Sequence, residues 1–171
     1  MIVVADSTPL ITMMKADQLA LLHALFGEIR IPVAVFEEVT DNLEYANEAD
    51  LIRNSSYIKV VEVEDPEQVI LLRRATALDR GESEAIIYAD QVGADLLLMD
   101  ETAGRAIARN MNLRLTGSVG VLILAIEKGI LSPDDADMTV EKIRSSRRHI
   151  SEELLQRVKA AAQTKRMHGL E

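Results

Sequence analysis

GADLLLMDETAGRAIARNMNLRLTGSVGVLILA, residues 93–125, decides how the chain folds. Leu96-Leu97-Leu98-Met99 is an apolar run too short for a helix and closes on Asp100, so a buried strand is expected over 95–99. A helix over 101–110 follows, then a short strand over 113–115 and a helix over 117–128 closed by Gly129. Buried strands separated by helices of this length run parallel, with right-handed crossovers. Asp100 is the anomaly, because a carboxylate at the end of an apolar strand serves no packing purpose.

The same alternation extends in both directions. Residues 1–5 read as a strand ending at Asp6, and Thr8-Pro9 supplies an N-cap and a proline at the first helical position. Leu19, Leu22, Leu25 and Phe26 mark the inward stripe of a second helix that Gly27 ends. Ile29 to Ile31 is a short strand, and Pro32 opens the helix carrying Glu38. A polar helix is expected near 43–54, a strand near 57–63, a helix from Asp65-Pro66 into Val69 to Leu78, and a helix over 82–92. Ser132-Pro133-Asp134 starts another helix, and Ser151-Glu152-Glu153 caps a last amphipathic one. The expected fold class is α/β, a doubly wound three-layer α/β/α sandwich on a central parallel sheet. One domain is expected over 1–171, with a helical C-terminal extension over about 133–168.

Composition narrows the function. The chain has 171 residues, 48% of them hydrophobic, and no cysteine, which excludes disulfides, thiol nucleophiles and thiolate metal sites. Any bound metal must use oxygen or histidine ligands. No stretch reaches 18 apolar residues, and the opening MIVVADS is short and lacks the basic start of a secretory signal. A cytoplasmic protein without a membrane segment is expected. The net charge of −9 is divided unevenly: residues 1–100 hold 19 acids and 7 bases, residues 101–171 hold 9 acids and 12 bases. Clusters at Arg105/Arg109/Arg114 and Lys142/Arg144/Arg147/Arg148 are candidates for a phosphate-binding groove, against the plainer reading of solvated helix faces.

The candidate site is a set of four acids, Asp6, Glu38, Glu82 and Asp100. Ligands of open parallel sheets bind beyond the carboxyl ends of the strands, where Asp6 and Asp100 are both placed. On a helical wheel Glu38 flanks the stripe of Val35, Phe36, Val39 and Leu43. Glu82 shares a face with Ala85, Ile86 and Ala89, so it is expected inward and Glu84 outward. Two carboxylates about 5 Å apart repel by roughly 3 kcal/mol at an effective dielectric near 20, so a cation belongs among them. Carboxylate-rich oxygen ligation suits Mg²⁺ or Mn²⁺, which orient a water on a phosphodiester and neutralise the leaving oxygen. His23, His149 and His168 lie in a leucine-rich helix or basic segments and are not read as general bases.

VVADSTPLI, IPVAVFEEV, LDRGESEAIIYA, GADLLLMDETAGRAIA and LTGSVGVLILA, spread over residues 2 to about 125, together resemble PIN-domain nucleases, and among them the VapC-like toxins of prokaryotic toxin–antitoxin pairs. The resemblance implies a Mg²⁺- or Mn²⁺-dependent endoribonuclease, an RNA substrate, a homodimer and a small antitoxin partner. It also implies roles for Asp6, Glu38, Glu82 and Asp100 in that order, the last two eighteen positions apart. Ser7 or Thr8 and Thr116 match small polar positions that orient the acids or a phosphate. The third acid is a glutamate where such proteins more often have aspartate, which leaves Glu82 against Glu84 open. Glu101 stands near a further family acid, or is an N-terminal helix charge.

Each acid has a duller reading: Asp6 and Asp100 as helix caps, Glu38 as a surface residue. A receiver domain is disfavoured because no lysine ends the strand at Leu115, and a haloacid-dehalogenase-like phosphatase because Thr8 stands where its second aspartate belongs. The alternative that remains is a non-catalytic PIN-like module that binds nucleic acid or protein and uses its metal only for structure. Five aromatics leave little base stacking for reading an RNA sequence.

Overall fold

A computed structural model describes residues 1–41, 46–146 and 150–168. Five strands form one all-parallel sheet: β1 (Val3–Ala5), β2 (Ile29–Pro32), β3 (Ile58–Val61), β4 (Leu96–Leu98) and β5 (Leu115–Thr116), in the order β3-β2-β1-β4-β5. The strand order reverses direction between β1 and β4, the place where the loops leaving two neighbouring strands diverge and open a crevice. β1 is central because it is wholly apolar and buried on both faces. Val4 is in register with Leu97 and Ala5 with Leu98, and the Asp6 N–H donates to Leu98 O at 3.0 Å, so Asp6 emerges level with the residue after β4.

The period of two along each strand sorts the core into two layers. Val3, Ala5 and Leu98 face one layer, packed on α1 (Ser7–Lys15), α2 (Ala20–Phe26), α3 (Val33–Asp41) and α8 (Ser118–Glu127). Val4, Leu97 and Met99 face the other, packed on α6 (Arg80–Gln91) and α7 (Thr102–Asn110). The α/β/α sandwich expected from the sequence is the observed architecture. α9 (Pro133–Ser145) and α10 (Glu152–His168) close on α8, and Val140, Ile143, Leu155 and Val158 are buried in the first layer's core. Leu22 of α2 and Leu122 and Ile126 of α8 are also core residues. Among the described residues no helix is long and apolar enough to cross a membrane.

Several boundaries move, each for a local reason. α1 starts at Ser7 with Asp6 in the N-cap position, so Pro9 is its third residue, still in the first turn where a missing N–H costs nothing. α6 starts at Arg80 rather than 82 because Asp79 caps it. β5 is Leu115–Thr116 rather than 113–115, its register set by Leu97 and Leu98. β3 is shorter than 57–63. α5 (Pro66–Ala75) has Pro66 in its first turn, and the Asp65 side chain accepts from Glu67 N. α4 (Ala46–Arg53) falls within the polar helix expected over 43–54, whose first residues, with Leu43, Arg147, Arg148 and His149, lie outside the described residues.

Candidate active site

Beyond the carboxyl end of β1 lies a cavity of about 450 Å³ whose lining includes Asp6, Glu38, Asp79, Glu82 and Glu101. Among the described residues none that lines it is basic, and Ser7 and Thr8 are its hydroxyl-bearing residues.

Asp6 is its deepest acid, only 1% exposed. Its N-cap position offers a structural role that its side chain does not take: neither carboxylate oxygen has a hydrogen-bond partner. Burial pushes its pKa up from 3.8 to about 8; the Ser7 backbone N–H pulls the other way, and the charges of Glu38, Asp79 and Glu82 add to the rise. The Ser7 pull is not a well-formed bond, since neither oxygen meets hydrogen-bond geometry.

Glu38 and Glu82 reach the cavity from two helices. Gly81, at the start of α6, lets that helix close on α3: a Cβ there would stand 3.1 Å from Glu38 Oε2. Glu82 belongs to a capping box in which its N–H donates to Asp79 Oδ1 at 2.8 Å and its Oε2 accepts from Asp79 N at 3.0 Å. Burial raises the Glu82 pKa, opposed by the Asp79 backbone and reinforced by the charges of Asp79, Glu101 and Glu38.

Asp100 is placed differently. It leaves the same sheet edge, but Oδ1 accepts from Ser118 N at 2.7 Å and Oδ2 from Ser118 Oγ, so it caps α8 and lines a neighbouring cavity. Gly117 has no Cβ because one would collide with Asp100 Oδ1. Glu101, one residue on, faces the acidic cavity instead. Thr116 lines the Asp100 side.

Glu84 corrects the wheel reading, which put it outward. It is buried, its Oε2 accepting from Ala34 N at 3.0 Å and its Oε1 from Arg80 Nε at 2.7 Å, while Arg80 also reaches Glu37 at 2.8 Å. The wheel assumed a single apolar face, whereas α6 packs on the sheet and also on α3. Glu84 is thus tied into the α3–α6 contact, while Glu82 faces the cavity. Asp79 was missed, although the Asp79-x-x-Glu82 spacing spells its capping role. Of the expected basic cluster near 142–148, the two described residues are paired: Lys142 with Asp17, and Arg144 with Glu141 and Glu152. His23 stacks on Tyr57 with ring centroids 4.8 Å apart, away from the acids.

The test of fit for a cation is the donor set. The cavity gathers carboxylates from four parts of the fold, and its deepest one has unused oxygens and no neighbouring base. Among the described residues no three acids are already drawn together closely enough to hold an ion, so binding would need side-chain rotation of the glutamates. Hard oxygen ligands on flexible arms fit Mg²⁺ or Mn²⁺.

The PIN-domain family matches the chain over residues 2–164, and the chain belongs to that family. The fold is therefore of nuclease type. No curated protein matches the chain.

Proposed function

We propose that this protein is a divalent-metal-dependent endoribonuclease, the toxin of a toxin–antitoxin pair. On this reading it works in the cytoplasm as a homodimer and is held in check by a small antitoxin protein. The observation that carries the reading is Asp6: a fully buried carboxyl group with no hydrogen-bond partner among the described residues, in a cavity whose charged lining residues are all acidic, at the sheet's switch point. A buried, unsatisfied acid costs stability, and a site kept at that cost points to function.

Asp6, Glu38 and Glu82 are the proposed ligands of Mg²⁺ or Mn²⁺, with Asp100 the fourth acid of the set. When bound, such an ion supplies charge neutralisation at the phosphate and makes a water acidic enough to attack. Asp6 gives up its proton to bind, which the high pKa makes dependent on pH. Glu38 and Glu82, from separate helices, would hold the cation together with Asp6 and offset its charge. Ser7 and Thr8 line the same space, and their hydroxyls are proposed to orient the substrate. In the hydrolysis a water oxygen joins phosphorus, one ester P–O bond breaks, and the departing oxygen takes a proton.

Asp100 acts on this reading through Ser118, fixing the start of α8 beside the site, and Glu101 stands ready to complete the acid set. Incubation of purified protein with RNA and Mn²⁺ tests the proposal. Cleavage that EDTA stops and that Asp6→Ala abolishes supports it; cleavage without metal, or surviving Asp6→Ala, rules out this site. Asp6→Asn, whose side chain caps no helix, separates the enzyme from a structural-metal module: an enzyme loses cleavage with its fold retained, whereas a module has no cleavage to lose and loses instead the stability that Mn²⁺ adds to the wild type.

A further inference from the structure

We propose that the cavity beside the acidic one is a subsite for a backbone phosphate of the RNA strand, gripped by Arg105 of α7 and Arg157 of α10. The identity of the strand rests on the nuclease reading above; the anion-binding character rests on the cavity itself.

The space is about 340 Å³, walled by the start of α7, the end of β5, the first turn of α8 and one side of α10. The turn at residues 100–103 partitions the two cavities: Asp100 and Thr102 line this one, while Glu101 and Ala103 line the acidic one. A strand laid across that turn meets carboxylates on one side and guanidinium groups on the other. Successive backbone phosphates then have different hosts, one at the cleavage site and the next in the basic cavity.

Arg105 is half-buried and fixed, its Nη1 donating to Met99 O at 2.6 Å. Burial and the nearby charge of Arg109 hold its pKa below the usual value, with Asp100 offsetting them in part. Its guanidinium therefore lacks a full counter-charge, and an anion would relieve it. Arg157 forms no ion pair among the described residues. Its neighbours on α9 and α10 are spent: Arg144 on Glu141 and Glu152, Lys159 on Glu141, Arg166 on Asp134 and Asp137. The pairing leaves Arg157 as the cation of α10 that turns to the cavity. Asp100, the one acid among the described residues of the wall, already shares both oxygens with Ser118 N–H and O–H. Planar guanidinium groups from two elements match the oxygens of a phosphate better than a surface lysine does.

Sequence alone pointed to Arg105 with Arg109 and Arg114, neighbours along the chain. The fold pairs Arg105 instead with a residue of the last helix.

The test uses Asp6→Asn protein, which on the reading above does not cut, and measures binding of a labelled single-stranded RNA by fluorescence anisotropy in EDTA across a salt series. Adding Arg157→Ala should weaken binding roughly three- to tenfold and lower the slope of log affinity against log salt by about one. Lys128→Ala, at the far end of α8, should change neither. Equal binding with and without Arg157, an equal loss with Lys128→Ala, or no RNA binding by the Asp6→Asn parent would overturn the subsite. An Arg157-dependent complex formed by a protein whose wild type never cuts RNA would sustain the subsite and overturn the nuclease reading alone.

Discussion

Asp6 occupies a helix N-cap position without making a cap bond, so its carboxyl group has given up both water and the usual backbone donors. Its folded pKa near 8 lies above the unfolded value of 3.8, and the sign of the consequence follows. Below pH 4 the group is neutral in both states. Between about pH 4 and 8 the unfolded chain ionises while the folded group stays protonated, so stability contributed by Asp6 is lost as pH rises through that window. In EDTA, the melting temperature of the wild type should fall across it, and Asp6→Asn should flatten the fall and melt higher at pH 8. Each kcal/mol corresponds to about 2–4 °C in a chain of this size. Equal pH slopes in scanning fluorimetry would contradict the assignment. Glu84 is the opposite kind of acid, fully paired. Glu84→Ala leaves the buried Ala34 N–H without its acceptor and Arg80 with Glu37 alone, and should cost about 1–3 kcal/mol in urea unfolding.

The start of α6 shows how an element delivers a side chain to the cavity. Asp79 and Glu82 satisfy each other's N–H groups, which fixes Glu82 at the cavity rim. Asp79→Ala should cost about 0.5–2 kcal/mol by denaturant unfolding. It should also reduce cleavage by freeing Glu82, whereas unchanged stability would show that the box does not order the helix. Much of this level was legible beforehand. Short apolar runs and glycine or proline punctuation located β1, β2, β4 and the helices between them, because burial on both faces demands unbroken apolar strands. What a single chain segment cannot show is which partner an acid finds. Asp100 and Glu101 leave β4 side by side, and only Ser118, eighteen residues later, decides that the first caps α8 and the second faces the acids. Glu84 was misplaced for the same reason, its partner Ala34 lying fifty residues earlier.

At the scale of the whole molecule, the parallel order β3-β2-β1-β4-β5 converts scattered acids into one cavity by placing the exits of β1 and β4 side by side. The uneven charge along the sequence becomes a spatial contrast, an acidic cavity and a basic one on either side of a single turn. On the proposed reading, a divalent cation would neutralise the acidic side of that contrast. Isothermal titration of Mn²⁺ into the wild type and into Asp6→Asn at pH 8 measures it directly. Saturable heat in the wild type that disappears in Asp6→Asn is the expected result, and a flat wild-type trace, or the same isotherm from both proteins, would contradict a metal site built on Asp6.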